Sequence, residues 1–475
     1  MSQTVMTATA SIGDFLRTLF VLVMFAVLTT ASNQVDAADG YYDPGFGNGG
    51  YRAFDVSNGS GDSGRILRVL GNGRILMAGT CLTGTGARQF CVARLNADGS
   101  FDTSFGPGGP GGVGGYVRLD LFQTPAGFWL NDMIVLADGN IALVGDDSNQ
   151  LLLAILNTGG TALVPGLGSP QGWNTILLNG STHANRLLQQ PDGKLLIAGS
   201  TLGLLGNLDM MVLRMNLDRT GDGSFGAGGV AQVAFDLGGP SGLNSDTARA
   251  IALQPDGKIV LAGDALASNS LTGQYAALAR LLPNGVRDPA FGSDGRLQLA
   301  FNSSFHALAL DRSGVIIAGG AALDGTTGSF LVSRFAANGG TAPGTGTTVF
   351  HRTTGDVGAI EDILVRASGD FLITGFAAVN GYVAGSPESY VVCARFLADG
   401  WMDASFGIGG KSYGGFATAD PNNRNDYRND GYRIALGSGG ILIGGLSKKS
   451  SATRARFGVM KLQFDAIFDD GFQIP

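Results

Sequence analysis

Gln254-Pro255-Asp256-Gly257-Lys258-Ile259-Val260-Leu261-Ala262-Gly263 reads as a tight turn feeding a short apolar strand that stops at glycine. Asx-Gly between two apolar runs signals a hairpin, and the two-residue type I′ turn it implies needs positive φ at both central residues. Near-copies recur along the chain, with turns at Asn72-Gly73, Asp138-Gly139, Asp192-Gly193, Asp256-Gly257, Ser313-Gly314, Ser368-Gly369 and Gly439-Gly440. The strands after them close at Gly79, Gly145, Gly199, Gly263, Gly319, Gly375 and Gly445, a mean period of (445 − 79)/6 = 61 residues. Each such strand, Lys194-Leu195-Leu196-Ile197-Ala198-Gly199 for example, is apolar without alternation, which predicts burial on both faces.

A strand precedes each turn, as in Ala250-Ile251-Ala252-Leu253-Gln254. A third follows after a loop, as in Tyr390-Val391-Val392-Cys393-Ala394-Arg395-Phe396, and a fourth after a linker, as in Val230-Ala231-Gln232-Val233-Ala234-Phe235. Four short antiparallel strands per repeat make one blade of a β-propeller, and seven repeats fall inside the usual range for ring closure. The sequence therefore predicts an all-β fold, a seven-bladed propeller occupying residues 38–475 as a single domain. A parallel β-helix would need a much shorter coil and no Asp-Gly hairpins.

The linkers repeat too. Arg94, Arg214, Arg280 and Arg395 stand eight residues before Asp102, Asp222, Asp288 and Asp403, and Phe105, Phe225, Phe291 and Phe406 follow those aspartates at +3. In the second repeat Ile155 replaces the arginine and the Asp-x-x-Phe is lost with it; in the fifth, Arg334 remains without an Asp-x-x-Phe. This pattern predicts a structural ion pair tying the outgoing strand to the interblade linker; arginines lining a site for an anionic ligand are the alternative. Asp43-Pro44-Gly45-Phe46-Gly47 and the set Lys461, Asp469 and Phe472 carry the motif at the two ends. The ends are expected to meet on one side of the ring, with strands from both termini in the closure.

Leu-Gln-Pro-Asp-Gly-Lys-Ile-Val-Leu-Ala-Gly at 253–263 and Ala-Arg-Leu-Asn-Ala-Asp-Gly-Ser-Phe-Asp-Thr-Ser-Phe-Gly at 93–106 resemble the delta-60 repeat, a family of largely uncharacterised secreted bacterial proteins. The resemblance spans residues 41–472 and implies a propeller-like fold with no established activity or catalytic residues.

Composition narrows the class. Glycine is abundant (78 residues) and charge is sparse (15%), yet 44% of the chain is hydrophobic, so tight turns between strands explain the glycine better than disorder does. Net charge is −7 and the one basic cluster is Lys448-Lys449 with Arg454 and Arg456, so no nucleic-acid partner is expected. Residues 1–37 read as a secretory signal: Arg17, an apolar run from Leu19 to Leu28, and Val35-Asp36-Ala37 as a cleavage site. An uncleaved anchor is the alternative. The mature chain is expected to be monomeric, without a transmembrane segment, and secreted, periplasmic or cell-surface. Cys81 and Cys91 flank a hairpin loop and either form a disulfide or remain packed thiols; Cys393 reads as a core residue.

Alternate loops of an antiparallel meander emerge on one face. The Asp-Gly turns and the linkers share the uniform face, and the loops opposite differ widely, so the variable face is the expected binding face. Its most distinctive loop, Asp420 to Asp430, offers Asp420, Asn425, Asp426, Tyr427 and Asp430 as contacts for glycan, peptide or Ca²⁺, against the reading of a solvated loop. No cofactor is expected. Asn216 to Asp222 has oxygens at alternate places but lacks the acid a calcium loop needs at its twelfth position, where Ala227 stands. His183, His306 and His351 fall at different places in their repeats, and no nucleophile elbow, zinc-binding helix or phosphate loop occurs. Asp62 and Asp246 align just before the first strand of the hairpin and are the acids that could work in an axial channel. The sequence therefore favours an exported module that binds an unknown protein, peptide or glycan. A hydrolase or lyase acting on polysaccharide or peptide at the channel, and a structural surface protein, are the alternatives.

Overall fold

A computed structural model describes residues 39–464, apart from 58–60, 107–113, 122–126, 148, 167–170, 179, 217, 239–243, 268–272, 325–326, 342–343, 345, 352–356, 379–388, 417–426 and 450–454. The signal reading of 1–37 and the C-terminal motif at Asp469 and Phe472 lie outside these residues. The described chain is all-β and belongs to one compact unit.

The first six repeats lay their strands down in chain order from inside to outside, and the seventh takes its outer strand from the N-terminus. In the first repeat they are Asp62–Val69, Ile75–Leu82, Arg88–Leu95 and Tyr116–Leu119. The inner strands of the later repeats are Trp129–Val135, Thr182–Gln189, Asp246–Leu253, the second half of Arg296–Leu310, Val357–Val365 and Tyr427–Gly437. Each inner strand touches the inner strand of the next repeat, and the last touches Asp62–Val69, so they surround an axis as a closed ring.

The expectation of seven separate blades is corrected: hydrogen bonding assembles the strands into five sheets, three of four strands, one of seven and one of eight. Two local causes account for the merging. Arg296–Leu310 runs without a loop between the outer position of the fourth repeat, where Arg296 pairs with Ala279, and the inner position of the fifth, where Leu310 pairs with Ile316. A parallel bridge between Ser389 and Arg428 joins the sixth repeat to the seventh.

The turn chemistry also differs from expectation. Gln254 N–H donates to Lys258 O and Gly257 N–H donates to Gln254 O, which makes a three-residue loop. Gly257 has φ +81°, while Asp256 is not among the positive-φ residues. A type I turn followed by a left-handed glycine fits this, with Pro255 suited to its first central position, rather than type I′. Asp256 contributes through its side chain, whose Oδ1 accepts from Lys258 N–H at 3.2 Å.

The glycine that seemed to end the strand lies inside it, since Ile259–Leu266 continues past Gly263. Every inner strand carries a β-bulge opposite this glycine. In the fourth repeat the register jumps from Ala248↔Gly263 to Ala250↔Ala262, leaving Arg249 as the extra residue. A Cβ on Gly263 would lie 1.8 Å from Thr247 O, and on Gly79, Gly145, Gly199, Gly320, Gly375 and Gly445 a Cβ would meet the equivalent carbonyl at 1.9 Å. The fifth repeat uses Gly320, opposite Phe305, and not the neighbouring Gly319. Only a residue without Cβ fits beside a bulge this tight.

Apolar residues cluster between neighbouring repeats. Phe105, fully buried, plugs the seam between repeats one and two, and Phe225 and Phe291 do the same further round. The ring closes through the N-terminus: Tyr51–Phe54 pairs with Ala455–Gln463, with Tyr51 opposite Met460. Asp43 Oδ2 is 2.8 Å from Lys461 Nζ and Phe46 is buried, so Asp43 and Phe46 serve the seventh repeat where the sequence offered Asp469 and Phe472.

Gly263→Ala is expected to lower unfolding free energy by about 2–3 kcal/mol in urea melts, because the new methyl collides with backbone. Gly223→Ala, where a Cβ meets nothing within 4 Å, is the control and should change stability by less than about 0.5 kcal/mol. Equal effects at the two sites would contradict this role for Gly263.

Candidate functional site: the axial channel

The repeated bulge sets what the ring presents to its axis. The extra residues are Arg65, Asn131, Asn185, Arg249, His306, Glu361 and Tyr432. All are polar, and several reach to the next repeat. Asn131 Nδ2 donates to Ala184 O at 2.8 Å, and Asn185 Nδ2 to Ala248 O at 2.8 Å. His306 Nδ1 lies 3.0 Å from Glu361 Oε1, and the Arg65 guanidinium stacks over Tyr432 at 4.9 Å. Arg249 pairs with Asp264.

The residues that follow line a cavity of about 150 Å³, bounded by Arg68, Asp132, Arg186, Leu187, Ala250, Ile251, Ala307, Leu308, Asp362 and Arg433. Five inner strands put a charged side chain here. The strands of repeats four and five put Ala250 and Ala307 at the post-bulge position, which leaves the space open. Asp132 accepts from Arg68 Nη2 at 3.0 Å and from Leu187 N–H at 3.0 Å, with Arg433 Nη2 4.0 Å away. Burial works against its charge, but Arg68, then Arg433 and Arg186, outweigh burial and hold the carboxyl below its usual range. Asp362 Oδ2 accepts from Ile434 N–H at 3.0 Å. Arg186 donates to Asn185 O at 3.1 Å and His306 O at 3.4 Å. Burial, then repulsion from Arg433, pushes its guanidinium down to about 10.

Ser304 Oγ lies 2.9 Å from His306 Nε2, completing a serine–histidine–glutamate chain. Ser304 is only 3% exposed, so its hydroxyl positions the imidazole inside the sheet instead of meeting a substrate.

The residues singled out in the sequence fall elsewhere. Asp420, Asn425 and Asp426 lie outside the described residues. Tyr427 begins the inner strand of repeat seven, its backbone opposite Lys449. Asp430 is fully buried, accepting from Ser389 Oγ at 2.6 Å and from Tyr432 O–H at 3.1 Å, so it braces two strands instead of meeting solvent. Asp62 and Asp246 are buried away from the cavity lining. Their Oδ2 atoms accept from Val56 N–H at 2.8 Å and Phe235 N–H at 2.6 Å, pinning the chain that enters each inner strand. Burial raises both carboxyls, that of Asp246 to about 8. Asp218, in the calcium-like loop, turns its carboxylate onto Thr220 N–H at 2.9 Å.

The linker residues converge at the seams. Arg94 Nε is 2.7 Å from Asp102 Oδ2, Arg214 Nε 2.8 Å from Asp222, Arg280 Nη2 2.9 Å from Asp288 and Arg395 Nη2 2.7 Å from Asp403. Each guanidinium lies over the Asp-x-x-Phe ring, at 4.7 Å for Arg94 and Phe105. It also reaches the next repeat, as from Arg94 to Thr158 O and Arg214 to Pro283 O. Arg334 follows suit without its aspartate, donating to Ala398 O at 2.7 Å. Cys81 and Cys91 form a disulfide with Cα atoms 6.0 Å apart, and Cys393 is a buried free thiol.

The cavity residues escaped the sequence reading although a signal was present. Asp132, Arg186, Ala250, Ala307 and Asp362 each stand seven residues before their turn glycine (139 − 132 = 7), and Arg433 stands six before Gly439; the first repeat has core residue Ile66 at that place and lines the cavity with Arg68. Read as a column, they separate charged positions from spacers.

Residues 70–105, 190–225 and 254–291 match the family model described as "Domain of unknown function (DUF5122) beta-propeller". The chain thus carries β-propeller repeats. No curated protein matches it in sequence. Among solved structures, polysaccharide lyase Uly1 is 11% identical, covering 92% of this chain and 94% of its own, with TM-score 0.47. Virginiamycin B lyase from Staphylococcus aureus is 11% identical, covering 87% and 99%, with TM-score 0.45. Drosophila Semaphorin 2a is 8% identical, covering 90% and 77%, with TM-score 0.48. Among the described residues no helix is long and apolar enough to cross a membrane.

Asp246 binds its proton more tightly folded than unfolded, so stability is expected to fall as pH rises from about 5 to 8, on the order of 1 kcal/mol per pH unit from this group. Asp246→Asn should remove that slope in urea melts across the range; an unchanged slope would contradict a protonated, buried Asp246.

Proposed function

We propose that the protein is an exported, monomeric binding module whose ligand enters the axial channel, with the variable loops forming the approach. One observation carries this reading: charged side chains from five different strands converge on a single cavity, four of them directly after the bulge that recurs in every repeat. Charge in a confined site is costly unless paired, and it is commonly retained where a ligand completes the pairing. An enzyme of the channel loses its expected acid pair, since Asp62 and Asp246 are spent on local backbone. A purely structural surface protein gives no reason for a charge-lined axial cavity.

The test is a thermal-shift and calorimetric panel of neutral glycans, acidic and basic small molecules and short peptides, run on the full chain and on Arg433→Met. Binding by at least one class, weakened tenfold or more by Arg433→Met while the 420–430 loop variant Asp426→Ala leaves it intact, is the expected result. Binding that depends on Asp426 and ignores Arg433, or no binding in the panel, would contradict the channel as the site.

A further inference from the structure

The three cavity guanidiniums are not equivalent. Arg68 and Arg433 share Asp132. Arg186 has no carboxylate within ion-pair distance among the described residues, and its two hydrogen bonds go to backbone carbonyls. A guanidinium has five N–H donors in a rigid fork, so three remain for a partner in the cavity. The lining carries three guanidiniums and two carboxylates, 3 − 2 = +1, in a chain whose net charge is −7. Neighbouring Glu361, outside the lining, has His306 Nδ1 3.0 Å from its Oε1, and its charge also bears on Arg186 and Arg433. Asp362 uses Oδ2 for Ile434 N–H, which leaves its other oxygen as an acceptor.

From this distribution we infer that the cavity takes a small hydroxylated monocarboxylate, with Arg186 receiving the carboxylate and Asp362 accepting a hydroxyl. The inference rests on the channel-binding reading above and specifies its ligand. The fork of Arg186 matches a planar carboxylate in two parallel hydrogen bonds. A dianion would meet Asp132 and Asp362 without compensation, while an acceptor-only anion leaves Asp362 unused. Size points the same way. A cavity near 150 Å³ holds a ligand of roughly six heavy atoms, the scale of a benzene-sized guest.

The test uses the full chain with D-glycerate, glycerol and inorganic sulfate as probes, measured by calorimetry at low ionic strength. D-glycerate is expected to bind at least tenfold more tightly than either comparison probe. Arg186→Gln should weaken D-glycerate tenfold or more, and Asp362→Asn should weaken D-glycerate while leaving sulfate no weaker than on the unaltered chain. Both variants must keep the wild-type melting midpoint within a few degrees, and Asp362→Asn, which keeps an acceptor for Ile434 N–H, serves if Arg186→Gln does not fold. Glycerol binding as well as D-glycerate would overturn the carboxylate assignment, and sulfate binding as well would overturn the hydroxyl assignment. Failure of all three probes would overturn the inference while the wider panel still decides the channel reading.

Discussion

The fold depends on one backbone contact made seven times. A bulge in each inner strand drives a carbonyl towards the partner strand, and the residue opposite has to be glycine because a Cβ would sit less than 2 Å from that oxygen. The bulge turns two successive side chains towards the axis region, so the same constraint that builds the hairpin also aims residues into the channel. The scaffold repeats, and the chemistry varies at one position per repeat: Asp132, Arg186, Asp362 and Arg433 against Ala250 and Ala307.

A second repeated device holds neighbouring repeats together. Arginine pairs with an aspartate, lies on a phenylalanine and donates to a carbonyl of the next repeat, so one side chain serves three partners. The seventh repeat borrows these pieces from the N-terminus, with Lys461 on Asp43 and Phe46 in the core. Closure is therefore a contact between distant parts of the chain, and the stability of the ring rests on residues more than 400 positions apart, as Tyr51 and Met460 are.

Much of this could be read in the sequence, for physical reasons that differ by element. Hairpins were visible because turn glycines and continuous apolar strands recur with a period. Asp-Gly suggests a two-residue loop, but Pro255 holds the first central position of a three-residue one and Asp256 acts by its side chain. Gly263 looks like a strand end in the sequence because its real partner is a carbonyl on another strand, which no local pattern displays. The five-sheet pairing is not visible in the sequence because it depends on a missing loop at Arg296–Leu310 and on a single bridge between Ser389 and Arg428. The cavity lining is hard to read in the sequence because the acids that align visibly, Asp62 and Asp246, are not part of it. Burial decides against both, and the cavity residues are scattered over 366 positions from Arg68 to Arg433.

The charge ring on the axis is the claim on which function turns. The direct measurement is an experimental density map of the full chain grown with D-glycerate. Density bridging the Arg186 guanidinium and the Asp362 carboxylate inside the channel is the expected result. An empty channel, with D-glycerate ordered on the outer loops or nowhere, would contradict it.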